Sequence, residues 1–160
     1  MKILYAVDLT ESRLTTGAVE SIAERMSADL LVLHVFAPTS TAPMPIDPMS
    51  GFGDFAYVTY DPEVQHNIER AEEHEFHAFL VAHFVHPIQP EILNGDPATC
   101  ILEQADEQGA DLIVLGKRHH NRLERILLGS VTREVFERAD RPVLLMPRRE
   151  DADVQNGLNS

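Results

Sequence analysis

Two almost unbroken apolar runs constrain the fold of this chain more than any other feature of its sequence. Residues 30–36 read LLVLHVF and residues 112–115 read LIVL, with almost no alternation between polar and apolar side chains. Such strands are typical of a parallel sheet that helices cover on both faces. Between them lie segments of helical period, which indicates an α/β fold.

Strand and helix signals alternate along the chain. The predicted strands are 2–7, 30–36, 87–93, 111–115 and 143–146, and Pro90 favours an edge position for the third. Helices are predicted after Thr10 or Ser12, from Pro62 to about Phe84, from Pro97 to Gly109, and after Gly129. Strand and helix thus alternate through five strands, with the last helix missing. This order predicts an open parallel sheet with right-handed crossovers and helices on both faces.

Two segments fall outside this alternation. Residues 37–60 contain four prolines and two glycines, and we expect an irregular surface loop, either mobile or folded over a neighbouring site. The polar residues 148–160 are expected to be disordered. The remaining order predicts one domain over 1–147, without an internal repeat.

Composition excludes several classes of protein. No apolar run approaches the ~18 residues that cross a bilayer, and Asp8 interrupts the short apolar N-terminus, so we expect neither a membrane protein nor a signal peptide. Cys100 is the only cysteine, so an intrachain disulfide is impossible and a cytoplasmic location fits. The net charge of −13 argues against general binding to nucleic acid or to anionic membranes.

The segment 116–130, GKRHHNRLERILLGS, is the strongest functional signal in the chain. It joins the buried fourth strand to the fourth helix, and helix N-termini bind anions through unpaired N–H groups. Four of the thirteen basic residues fall within nine positions of it: Lys117, Arg118, Arg122 and Arg125. We interpret the segment as a phosphate-facing loop, the alternative being a solvated basic loop. Ligands in such sheets bind beyond the carboxyl ends of the strands, where Asp8, Val35 and Gly116 converge.

At these residues the chain resembles the universal stress protein family. The family's nucleotide-binding signature is Gly, two residues, Gly, nine residues, then Gly followed by Ser or Thr. Gly116 and Gly129-Ser130 match it, and His119 stands in place of the middle glycine. The resemblance also includes AVD at 6–8, LHV at 33–35, GDP at 95–97, VT at 131–132 and RPVLL at 141–145, and it covers about residues 1–147.

The resemblance implies a five-stranded Rossmann-like sheet of order 3-2-1-4-5 and a homodimer paired through the last strand, 143–147. In the ATP-binding subclass, adenine lies near the residues that match Asp8 and Val35. The ribose and phosphates lie on those that match Leu115, Gly116, His119, Gly129, Ser130 and Val131. Other members lack the glycines and are not thought to bind ATP. The implied cofactor is ATP, or AMP or ADP, with or without Mg²⁺.

At His119 the chain departs from the family's glycine signature, and this difference affects the predicted nucleotide site. If its backbone requires a positive φ, histidine costs on the order of 1–2 kcal/mol relative to glycine, and its Cβ would crowd a phosphate. An imidazolium beside a triphosphate would instead be attractive. In that case nucleotide affinity falls between about pH 6 and 8, and His119→Gly flattens the dependence.

Other residues keep alternative interpretations. Asp8 could bind adenine or ribose, or cap the first helix, and Ser130 could bind phosphate, cap the fourth helix, or do both. His66, Arg70, His74 and His77 follow one stripe of a charged helix and are interpreted as a solvated face, not a metal site. Cys100 is interpreted as a buried small hydrophobe.

The function predicted from these residues is a cytoplasmic, homodimeric nucleotide-binding module whose state an unidentified client protein reads. No catalytic residues and no metal ligands are assigned, since common nucleotide-hydrolase and nucleophile motifs are missing. One alternative is a nucleotide-free interaction module of the same fold. A second is a slow ATP hydrolase or phosphotransferase.

Overall fold

A computed structural model describes residues 1–36, 62–116 and 129–147. The predicted loop 37–60 and the tail 148–160 lie outside these ranges, so those two predictions are not tested. The elements run in the order β1 (Lys2–Val7), α1 (Arg13–Arg25), β2 (Asp29–Phe36), α2 (Pro62–His83), β3 (Gln89–Asn94), α3 (Pro97–Glu107), β4 (Leu112–Gly116), α4 (Ser130–Arg138) and β5 (Val143–Met146).

The five strands form one sheet in the order β3-β2-β1-β4-β5, and every neighbouring pair is parallel. This confirms both the predicted parallel sheet and the strand order that the family resemblance implied. β1 lies at the centre, where Tyr5 pairs with Val32 on one side and Val114 on the other. β3, with Pro90, lies at an edge as predicted.

The hydrophobic core is divided between the two faces of the sheet. On one face, alternate β1 residues such as Ile3 and Tyr5 pack with α1 and with Phe76 and Phe79 of α2. On the other face, Leu4 and its neighbours in β2 and β4 pack with α3 and α4. Because both faces are covered, the central strands are apolar throughout, which is the pattern seen in the sequence.

Local signals in the sequence set several element ends. The Ser12 side chain accepts a hydrogen bond from Thr15 N at the start of α1, and Asp96 does the same for Thr99 N at the start of α3. Gly109 follows α3 with a φ of +61°, a conformation that glycine adopts at little cost. β3 begins two residues later than predicted, at Gln89, and α4 ends at Arg138 rather than at the Arg141-Pro142 break.

A buried glutamate holds the connection between α2 and β3 against α1. Glu20 of α1 is 5% exposed, and its Oε1 atom accepts hydrogen bonds from the backbone N–H groups of Val85 and His86, each at 3.0 Å. The His86 ring contacts Glu20 and also Glu24, one turn further along α1. No helix in the described ranges has the length and apolar character needed to cross a membrane.

Candidate functional site

A pocket of about 430 Å³ opens at the carboxyl ends of β1, β2 and β4 and reaches the start of α4. Its volume falls within the ~300–1,000 Å³ of small-molecule sites. Seven of the eight predicted site residues line it: Asp8, Val35, Leu115, Gly116, Gly129, Ser130 and Val131. The eighth, His119, lies outside the described residues, as does the basic cluster from Lys117 to Arg125.

At the end of β1 the chain makes a tight turn around Asp8. The Oδ1 atom of Asp8 accepts hydrogen bonds from Thr10 N at 3.0 Å and from Thr10 Oγ1 at 2.6 Å. Leu9, between them, has a φ of 66°, a left-handed conformation that costs a non-glycine residue on the order of 1–2 kcal/mol. The cap of α1 is Ser12, so the alternative that Asp8 caps this helix is wrong.

Gly116 leaves space for a neighbouring side chain and does not have an unusual backbone conformation. Among the described glycines only Gly109 has a positive φ. A Cβ on Gly116 would instead lie 2.7 Å from the Oε1 atom of Glu11, which is too close for any two such atoms. The end of β4 therefore accommodates the Glu11 carboxyl in the volume that a side chain would occupy.

Glu11 was missed by the sequence analysis, although it lines the pocket. Both of its carboxylate oxygens lie near the Asp8 backbone N–H, at 3.3 and 3.2 Å. The spacing Asp8-x-x-Glu11 was the available signal, because a Glu three residues after an Asp or Ser often reaches back to that residue's N–H group. Burial raises the pKa of Glu11 to about 8, with the nearby Asp8 carboxylate as the second cause.

His34 of β2 is a second pocket residue to which the sequence analysis assigned no role. It is buried, and its Nδ1 atom lies 3.0 Å from the carbonyl oxygen of Val7, while its Nε2 atom lies 3.2 Å from Oε2 of Glu72 on α2. Its ring also stacks on Phe76, with centroids 5.6 Å apart. Both ring nitrogens thus face oxygen atoms, one on β1 and one on α2.

The start of α4 presents backbone donors to the pocket. Gly129 is the N-cap and makes no side-chain cap bond, and Arg133 N donates to Gly129 O in the first helical bond. The N–H groups of Ser130, Val131 and Thr132 precede that bond, so the helix itself does not pair them. A Cβ on Gly129 would have no described atom within 4 Å. Ser130 is the first helical residue, so the alternative that it is the N-cap is wrong.

Pro97 and Ile101 of α3 complete the wall of the pocket on the second face of the sheet. Their side chains carry no polar signal, so pattern analysis could not assign them to a site. Asp96, directly before them, holds the first turn of α3 through its bond to Thr99 N at 2.9 Å.

The polar stripe of α2 and Cys100 were both predicted to have no binding role. His66, Arg70, His74 and His77 are all exposed, which confirms that this stripe of α2 is a solvated face. Within the described ranges no group of three or more His, Cys, Asp or Glu side chains is placed to hold a metal ion. Cys100 is half-buried rather than fully buried, and burial raises the pKa of its thiol.

Comparison with known proteins identifies the family. The model of the universal stress protein family matches residues 1–147. Universal stress protein YxiE of Bacillus subtilis (strain 168) is 29% identical over 150 residues, which is 91% of this chain and 97% of YxiE. Stress response protein NhaX of the same organism is 45% identical over 56 residues, 35% of this chain and 34% of NhaX. The matches to universal stress proteins MJ0531 and MJ0577 of Methanocaldococcus jannaschii also span only 38% and 36% of those relatives.

Solved structures share the fold. The structure of MJ0577 superposes with a TM-score of 0.66 at 23% identity, covering 93% of this chain and 96% of that one. A universal stress protein in complex with cAMP superposes with a TM-score of 0.57 at 21% identity, covering 93% of this chain and 98% of the other. Together with the family match over residues 1–147, these likenesses show that the chain belongs to the universal stress protein family.

Proposed function

We propose that this protein binds a nucleotide, ATP or a relative of it, in the pocket above β1, β2 and β4, and that it acts as a regulatory module rather than as an enzyme. The observation that carries the proposal is the meeting, in one pocket, of Asp8, Val35 and the start of α4, which come from three distant parts of the chain. A protein of this fold has been solved in complex with the nucleotide cAMP, which supports the choice of ligand class.

The lining residues suit the three parts of a nucleotide. Val35 offers apolar surface to the base, and the Asp8 carboxylate is an acceptor for an adenine amino group or a ribose hydroxyl. Leu115 lies on the side of the ribose and phosphates. The backbone N–H groups at the start of α4 suit a phosphate, because a helix N-terminus carries partial positive charge. In this proposal the cationic side chains of 117–125 complete the phosphate site.

Magnesium would enter with the nucleotide rather than through a site of its own. Mg²⁺ commonly binds through one or two carboxylates together with substrate phosphates, and it keeps several waters. Among the pocket residues, Asp8 is the carboxylate that we assign to this Mg²⁺-binding role. ATP binding with and without Mg²⁺ distinguishes a metal-assisted complex from a metal-free one.

Homodimer formation through β5 belongs to the same proposal. β5 forms an edge of the sheet, and an edge strand offers unpaired main-chain groups to a second copy. Sedimentation equilibrium tests it, with Leu145→Pro as the variant that removes a main-chain donor from this edge, because the Leu145 N–H points away from β4. A cytoplasmic location and an unidentified client protein complete the proposed setting.

The decisive experiment is isothermal titration with ATP, ADP, AMP and cAMP at pH 7. We expect saturable binding of at least one nucleotide, and a loss of about tenfold in affinity for Asp8→Asn, since hydrogen bonds to a charged acceptor contribute about 1.5–3 kcal/mol. Asp29→Asn is the matched control, because Asp29 is exposed at the opposite end of the sheet. Equal losses in both variants, or no heat with any nucleotide, contradict the proposal.

A nucleotide-free interaction module of the same fold is the second candidate, and the replacement of the middle glycine by His119 favours it. The absence of heat at millimolar nucleotide selects this candidate. Should nucleotide bind, His119→Gly tests the imidazolium hypothesis through the affinity between about pH 6 and 8. A product assay on the same samples detects the slow ATP hydrolase or phosphotransferase, which predicts stoichiometric turnover.

A further inference from the structure

The peptide unit between Val7 and Asp8 is held from two sides at the edge of the pocket. Its carbonyl oxygen, on Val7, lies 3.0 Å from the Nδ1 atom of His34 on β2. A carbonyl oxygen can only accept, so the Nδ1 atom of His34 donates to it. Its N–H group, on Asp8, lies 3.3 and 3.2 Å from the two carboxylate oxygens of Glu11. Two side chains, one from β2 and one from the start of α1, thus hold the plane of this peptide unit.

This peptide unit lies where β1 leaves the sheet. The pairing of β1 with β2 ends at Val7 and His34, and Leu9, two residues after Val7, has a φ of 66°. A non-glycine residue keeps such a conformation only where its surroundings hold it in place. The bonds from Thr10 to the Asp8 carboxylate act within the turn. The bond from His34 connects the start of the turn to the neighbouring strand.

Glu72 of α2 fixes the direction in which the His34 ring points. Its Oε2 atom lies 3.2 Å from the Nε2 atom of His34, at the opposite side of the ring from the bond to Val7. The ring also stacks on Phe76, one turn further along α2. Stacking holds the plane of the ring but allows the ring to turn over within that plane. The contact with Glu72 favours the one orientation in which the Nδ1 atom faces the Val7 carbonyl.

We propose that Glu72 is a positioning residue of the nucleotide pocket. It orients His34, which holds the Val7–Asp8 peptide unit and with it the Asp8 carboxylate that the nucleotide contacts. Glu72 lies outside the described lining of the pocket, whereas His34 and Asp8 line it. Its effect on the ligand therefore passes through these two residues. This proposal rests on the proposed function.

The test is isothermal titration at pH 7 with ATP, ADP, AMP and cAMP, and the nucleotide that binds most tightly is used for the variants. Glu72→Ala should lower its affinity by about threefold to tenfold, the range expected for the loss of one hydrogen bond. Glu72→Gln should stay within about twofold of the unaltered protein, because an amide can either donate to or accept from the Nε2 atom of His34. Glu73→Ala is the matched control, since Glu73 is exposed on the same helix and its removal takes away the same charge.

A double-mutant cycle separates positioning of Asp8 from a general disturbance of the pocket. If Glu72 acts through the Asp8 carboxylate, adding Glu72→Ala to Asp8→Asn should lower the affinity by less than about twofold further. If Glu72 acts independently of Asp8, its effect should add in full to that of Asp8→Asn.

Failure of this inference and failure of the proposed function give different results. Unchanged affinity in Glu72→Ala, an equal loss in Glu72→Gln or Glu73→Ala, or full additivity with Asp8→Asn overturns the role of Glu72 alone. No binding of any of the four nucleotides overturns the proposed function and, with it, the positioning role.

Proton–nitrogen NMR measures the connection itself in the protein without nucleotide. The backbone amide signal of Asp8 should shift in Glu72→Ala and stay in place in Glu73→Ala, because only the first change releases the His34 ring. An Asp8 signal that is unchanged in Glu72→Ala overturns the proposal, whatever the affinities are.

Discussion

The Nε2 atom of His34 lies 3.2 Å from the Oε2 atom of Glu72, so the inner strand β2 is connected to the helix α2 that covers it. The histidine side chain is only 8% exposed, whereas the glutamate is 33% exposed. The two ends of this contact should therefore contribute unequally to stability. The histidine also stacks on Phe76 and bonds to the Val7 carbonyl.

His34→Ala should lower the free energy of unfolding by about 2–4 kcal/mol, since it leaves a cavity in place of a buried ring that stacks on Phe76. Glu72→Ala should lower it by about 1 kcal/mol or less, because partly exposed ion pairs contribute little. Urea denaturation at pH 7 measures both. Equal losses would mean that the pair, and not the buried ring, provides the stability.

Glu20 provides a second comparison between a buried and an exposed side chain. Glu20→Ala removes the acceptor for the N–H groups of Val85 and His86, so we expect a loss of about 1–3 kcal/mol in the free energy of unfolding. Glu24→Ala is the matched control on the same helix, because Glu24 is exposed and its carboxylate contacts the exposed His86 ring. Its expected loss is below about 1 kcal/mol. Similar losses for the two variants would contradict the role of Glu20 in holding the connection between α2 and β3 against α1.

Asp96 gives a prediction for acid pH. Its hydrogen bonds from the backbone and then the side chain of Thr99 hold its pKa below the usual value. The carboxylate therefore stabilises the fold above its unfolded pKa of about 3.9, and this contribution is lost as pH falls through the lower folded pKa.

Asp96→Asn should retain the helix cap but remove that titration. Urea midpoints for Asp96→Asn should match the native protein at pH 7 and fall less steeply below about pH 4, whereas Asp96→Ala should already be less stable at pH 7. Parallel acid slopes for the native protein and Asp96→Asn would refute the assignment.

Gly17 and Gly116 differ in the space that is available to an added side chain. Gly17 lies inside α1, and beyond the helix's own backbone no described atom lies within 4 Å of an added Cβ, so Gly17→Ala should raise the free energy of unfolding by about 0.5–1 kcal/mol. Gly116→Ala should give no such gain, because its methyl group displaces the Glu11 carboxyl from the Asp8 N–H. Chemical denaturation measures both changes. A gain of equal size in Gly116→Ala would show that Glu11 moves without cost.

The backbone arrangement was predictable because its signals are local. The run from Leu30 to Phe36, the Asp96-Pro97 helix start and Gly109 each act on their own neighbours in sequence, and each lies where the pattern placed it. The convergence of Asp8, Val35 and Gly116 then follows from the strand order alone.

The chemistry inside the pocket was less predictable because it depends on distant side chains. The pKa of Glu11 is raised by burial in the folded pocket, and its carboxyl lies beside a glycine more than a hundred residues away in the sequence. The surroundings of His34 depend on Glu72, 38 positions later in the chain. No pattern within one segment shows either contact, so the sequence identified the edge of the sheet but not the roles of Glu11 and His34.

The pocket draws its lining from residues as far apart as Ala6 and Thr132. During synthesis on the ribosome, a chain that has emerged only as far as α3 lacks β4 and the start of α4, and with them most of the proposed phosphate site. Any ligand of this pocket thus recognises only the finished domain. Chains that end before α4 would not bind such a ligand.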